Sequence, residues 1–199
     1  MFEKYSTYAR ISKISHIARR YFIMNAFDGA LTMLGVIVGA FISGLKDPMI
    51  IVSAGIAGSV AMGISGFTGA FMTERAERMR ELRKLERKML SKLDNTVHGE
   101  ASRFAAIVTA LVDGISPALA AIIILSPFIA VNLGFMGLDA AFRVSLAISA
   151  LILFSLGAFL ARISYENVLV YGVTMLMVGL LTVAASFIIA RFFGSPSGA

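Results

Sequence analysis

Between Tyr21 and Leu45 the chain reads YFIMNAFDGALTMLGVIVGAFISGL, 25 residues in which Asp28 is the one charged side chain. At about 1.5 Å of rise per residue, a helix of this length crosses a bilayer core of about 30 Å. A carboxylate in such a helix costs about 2.5–3.5 kcal/mol on insertion scales, so it is normally retained for pairing or for function. Gly35, Gly39 and Ser43 follow at four-residue spacing and form a small-residue face that lets another helix approach closely. An acid at membrane depth beside such a face points to a cation path.

Composition extends that reading to the whole chain. Of the 199 residues, 58% are hydrophobic and 15% charged, and the mean hydropathy is +0.84. A soluble domain of this length carries more charge and shorter apolar runs. No signal peptide is expected: Lys4, Arg10, Lys13, Arg19 and Arg20 precede an apolar run too long for a signal-peptide core. The chain has no cysteine, which excludes a disulfide framework and a thiolate metal site.

Taken in order, residues 1–20 read as a basic amphipathic lead-in, with Tyr5, Tyr8, Ile11, Ile14 and Ile17 near helical spacing. Transmembrane helices 1 and 2 fill residues 21–72, divided by the polar turn Lys46-Asp47-Pro48. The second span, Met49 to Met72, is crowded with Gly55, Gly58, Ser59, Gly63 and Gly66. Residues 73–104 form the only long polar segment. There Met79, Leu82, Leu85, Met89 and Leu93 recur at three- and four-residue steps. This pattern predicts a short cytoplasmic amphipathic helix running on from span 2, with its breaking point near Gly99. Transmembrane helices 3–5 fill residues 105–190: Ala105 to Leu133, kinked or broken at Pro117 and Pro127, then Ala141 to Ala161 and Asn167 to Ala190. Residues 191–199 form a frayed tail. The fold class is an all-α integral membrane protein with five transmembrane helices.

Five spans place the termini on opposite sides. Fifteen of the 18 Lys and Arg fall on the side of the N-terminus and residues 73–104; Lys46, Arg143 and Arg191 fall on the other. The positive-inside rule then predicts a cytoplasmic N-terminus and an external C-terminus in the cell membrane. The nine basic residues from Arg75 to Arg103 fit this orientation and anionic lipid headgroups; no nucleic-acid partner is expected. Phe27-Asp28-Gly29 and Val112-Asp113-Gly114 both lie near the cytoplasmic ends of their spans, a faint internal echo.

Asp28 is the leading candidate for chemistry. It either binds a cation and exchanges a proton, or it pairs with Arg19 or Arg20 or caps a turn at Gly29. Asp113, followed by Gly114 and Pro117, has the same logic with less support. Met33 and Met62 carry thioethers, which suit late transition metals better than Mg²⁺ or Ca²⁺, although a membrane methionine is more often filler. Glu74, Glu77 and Glu81 fall within about 60° of one another on a helix, either as carboxylate ligands or as a solvated, salt-bridged face. Glu74 and Arg78 stand at i, i+4. No phosphate loop, nucleophile elbow or zinc-protease motif is present, and no enzyme is expected.

The segments NAFDGALTMLGVIVGAF, SVAMGISGFTGAFMTERAE, DGISPALAAIIILSPF and VGLLTVAASFIIARFFG resemble the vacuolar iron transporter family across all five spans. The resemblance implies a short-loop, prokaryotic-type member that forms a homodimer, with a cation path between the first two helices of both subunits. It implies proton-coupled export of Fe²⁺, and in some members Mn²⁺, as cargo rather than as a permanently bound cofactor. Asp28 matches the family's membrane aspartate, Met62 its second-span methionine and Glu74 its glutamate where span 2 leaves the membrane. Two features depart from the pattern. Ala54 stands where the family has a glutamate eight residues before the methionine, and residues 73–104 replace a longer glutamate-rich insertion, of which Glu77 and Glu81 are candidate remnants. The rival readings are a Ca²⁺ or Mn²⁺/H⁺ exchanger and a non-transporting membrane metal sensor or scaffold.

Overall fold

The computed structural model describes residues 14–90, 92 and 96–193; the side chains of His98, Arg191 and Phe193 also lie outside that description. Residues 1–13 of the expected lead-in and residues 194–199 of the expected tail lie outside the described residues. The described residues form five α-helices and no strand: α1 (Ile14–Ile42), α2 (Pro48–Met89), α3 (Val97–Asn132), α4 (Leu138–Ser164) and α5 (Val168–Phe193). All five contain a stretch long and apolar enough to cross a membrane, and the chain is a multi-pass membrane protein.

Helix ends follow local sequence chemistry. Pro48 opens α2 at the position where a missing N–H costs nothing, and Asp47 Oδ1 accepts from Met49 N at 2.8 Å. Asn167 caps α5 in the same way, accepting from Leu169 N at 2.9 Å. Two helices close through a left-handed glycine. Gly44 (φ +64°) ends α1 with Leu45 N bonded to Ala40 O, and Gly134 (φ +80°) ends α3 with Phe135 N bonded to Ala130 O.

The amphipathic segment runs on from span 2 as the pattern predicts, in one α2 unbroken for 42 residues to Met89, and among the described residues no separate short helix stands between α2 and α3. The break comes earlier than expected, at Leu90, which takes the left-handed conformation (φ 50°). Gly99 sits in the first turn of α3, where the Thr96 carbonyl already accepts from Glu100 N, so it lies at the start of a helix rather than at the end of one. Pro117 and Pro127 lie inside α3, which is assigned as one helix through both.

The chain divides into two compact units. The first comprises Met1–Asn25 and Met62–Ser116, the second Ala26–Ala61 and Pro117–Ala199. In the first unit, α2 and α3 cross with their backbones nearly touching. A Cβ built on Gly63 would stand 2.8 Å from Gly114 O, and one on Gly114 would stand 2.8 Å from Gly63 O. Ala101, Ala105, Ala106 and Ala110 of α3 are buried along this unit. Lipid tails are as apolar as leucine, so hydrophobic burial gives membrane helices little reason to associate. Close backbone approach, with its dispersion contacts, supplies much of the attraction.

The second unit has a bulkier core of Met33, Ile37, Ile51, Ile124, Leu125, Phe128 and Leu153, all essentially inaccessible. Phe142 meets Phe128 edge-on at 5.0 Å and Phe41 at 5.3 Å. Polar groups here are satisfied inside the bundle: Ser145 donates to Ile124 O, and Ser149 to Ser145 O at 2.9 Å. α4 and α5 pack against each other through Gly157 and Gly172. Only 6% of the most apolar window of α5 is buried, so its outer face is built for lipid or for another chain.

Candidate functional site

In the second unit, Gly29 follows Asp28 on α1 and lies directly against Pro117 of α3. A Cβ there would meet Pro117 Cα at 2.7 Å, its carbonyl oxygen at 2.8 Å and its Cβ at 2.9 Å. The glycine of the Asp-Gly pair is therefore a packing requirement. Asp28 is exposed on the single chain, and among the described residues it takes part in no ion pair. Met33, also a candidate path residue, is fully buried, with its sulfur 3.2 Å from where a Gly55 Cβ would stand. In this single chain it fills the α1–α2 contact.

In the first unit, Asp113 is 4% exposed. Its Oδ1 accepts from Asn25 Nδ2, which also reaches Tyr21 O at 3.3 Å. Its Oδ2 faces the backbone of α2, where a Cβ on Gly66 would come within 3.0 Å. Asn25 thus orients one carboxylate oxygen, and the missing side chain at Gly66 leaves room for the other. Met62 stands half-buried one turn before Gly66 on α2. Asn25 escaped the sequence reading, although a primary amide among apolar residues of a membrane span was a signal.

The three loop carboxylates behave differently from one another. Glu74 is buried at 9% exposure, and its Oε2 lies 3.1 Å from Arg78 Nε. The Tyr21 hydroxyl of α1 lies within reach of its charge. Glu77 is exposed and 3.8 Å from Arg80, and Glu81 is exposed. Among the described residues, no group of three or more His, Cys, Asp or Glu side chains is placed to hold a metal ion.

A structural role for Glu74 has a measurable consequence. Glu74→Ala strips a buried guanidinium of its anion, and breaking such a pair costs about 3 kcal/mol or more. The expected result is a fall in unfolding temperature of detergent-purified protein without metal, of about 6 °C or more at 2–4 °C per kcal/mol for a chain this long. A Glu74 that serves only as a metal ligand would leave that temperature unchanged.

The VIT family model matches residues 19–110 and again 89–191. An uncharacterized protein of Methanocaldococcus jannaschii is 33% identical over 177 residues, 87% of this chain and 89% of that protein. No solved structure matches the chain. With nearly all of α1 through α5 covered by the family's pattern, the chain belongs to the VIT family, the vacuolar iron transporters.

Proposed function

We propose that this protein moves a divalent transition metal, Fe²⁺ first and Mn²⁺ second, out of the cytosol in exchange for protons. Family membership supports membrane metal-ion transport, and Asp28 is the observation that carries the finer reading. A carboxylate exposed on the outside of a single chain, within an apolar helix, cannot face lipid without a cost of about 2.5–3.5 kcal/mol. A second copy that covers it and encloses a wet path removes that cost. Ala54, Ala57, Ala61 and Ser65 are also exposed along α2, at three- and four-residue steps that suit close packing against a partner helix.

In this reading Asp28 alternates between metal and proton, and Met62 contributes a soft sulfur ligand that favours transition metals. Met33 and Asp113 border the path, with Asp113 held by Asn25. Glu77 and Glu81, both exposed, gather metal at the cytoplasmic end, and Glu74 joins them only when it leaves Arg78; the charge distribution points to the N-terminus and the end of α2 as that end. The likeness to family members that carry iron supports Fe²⁺ as the cargo.

Met62→Leu tests the choice of ion. Removing the sulfur is expected to lower Fe²⁺ entry into proteoliposomes about tenfold, while Ca²⁺ competition stays the same, because a hard cation gains little from a thioether. An equal loss for every ion would assign Met62 to packing, and unchanged Fe²⁺ entry would remove it from the path.

A further inference from the structure

Where α2 leaves its apolar half, it encloses a cavity of about 430 Å³ with the start of α3. Arg75, Arg78 and Arg103 line it together with Ser102, and Phe71 and Ile107 supply apolar wall. The volume is within the range of small-molecule sites, about 300–1,000 Å³. Arg78 is 8% exposed. Glu74 satisfies its Nε at 3.1 Å, but Nη2 is buried and has no hydrogen-bond partner. A buried cationic N–H without an acceptor is costly, and guanidinium forks favour planar or tetrahedral oxyanions over other ligands. Glu74 supplies one negative charge against three arginines. The Arg75 guanidinium lies 5.9 Å from the Phe71 ring centroid, over an apolar wall.

We propose that this cavity binds the phosphate group of an anionic phospholipid, with Arg78 Nη2 as the buried donor and Arg75 and Arg103 at the mouth. A soluble phosphate offers the same oxygens. The lipid is favoured because the arginines follow directly on the apolar span of α2, and the cavity adds apolar wall for the glycerol and first methylenes. The site holds whether or not metal crosses the protein.

The test titrates the purified full-length protein with phosphatidylglycerol, phosphatidylcholine or inorganic phosphate, reading discrete adducts by native mass spectrometry and the unfolding temperature. Phosphatidylglycerol is expected to bind at one molecule per chain, at least tenfold more tightly than phosphatidylcholine, and to raise the unfolding temperature. The double variant Arg75→Ala/Arg103→Ala is expected to lose at least tenfold in that affinity while its lipid-free unfolding temperature is unchanged. Ser102→Glu, which adds an anion at a half-buried wall position and leaves all three arginines in place, is expected to give the same loss should the double variant fold poorly. Equal binding of the two lipids, or wild-type affinity in both variants, would overturn the proposal. Inorganic phosphate binding as tightly as phosphatidylglycerol would assign the site to a soluble anion and overturn the lipid reading.

Discussion

Asp28→Asn is expected to abolish the acceleration of metal entry that an acidic lumen produces in inside-out vesicles, a loss of at least tenfold. Asparagine keeps the size and the carbonyl oxygen of aspartate but can neither release a proton nor bring a negative charge to a cation. At 4 Å, even with an effective dielectric constant of about 20, a unit charge pair is worth about 4 kcal/mol, and each 1.4 kcal/mol is tenfold in an equilibrium. The amide is also cheaper to hold within an apolar helix than the acid. The variant should therefore fold at least as well as the wild type, and unfolding temperature separates lost chemistry from lost structure. Wild-type, gradient-driven entry in a well-folded Asp28→Asn protein would exclude Asp28 as the coupling group.

The next largest expected effect is structural and falls one residue later. Gly29→Val should unfold the protein or lower its unfolding temperature by more than 6 °C, because the new Cβ would sit 2.7–2.9 Å from three Pro117 atoms, including backbone Cα and O. Backbone atoms cannot rotate aside as a flexible side chain can, so α1 and α3 must separate, at a cost at or above the usual 1–3 kcal/mol of overpacking. Gly39→Ala, on the same helix, is the control. Nothing lies within 4 Å of its added Cβ, and helix propensity predicts a gain of about 0.5–1 kcal/mol. Similar outcomes for both substitutions would refute the close α1–α3 contact.

Much of this architecture was legible from residue order. Long apolar runs placed five spans, Asp47-Pro48 marked the start of α2, and Glu74 with Arg78 stood at salt-bridge spacing. All of these are local patterns, and local patterns survive in a one-dimensional reading. What escaped was set by packing between distant residues. Asn25 and Asp113 are 88 positions apart, yet their side chains are hydrogen-bonded. Spacing offered Glu74–Arg78 as one candidate pair but could not reveal its burial or leave Nη2 of Arg78 without an acceptor. The helix end at Leu90 was missed because glycine is the usual residue in the left-handed conformation, and Gly99 drew the expectation instead. Asp28 was singled out because an acid in an apolar run is conspicuous by itself. What it faces depends on a surface that a single chain leaves exposed.

Fe²⁺ entry into proteoliposomes of inside-out orientation, followed with a metal-quenched dye with and without an acidic lumen, tests the central claim most directly. A proton-coupled exporter gives entry that is faster with the acidic lumen and collapses when the gradient is dissipated. Metal that binds the protein but never reaches the dye, with either lumen, would contradict transport.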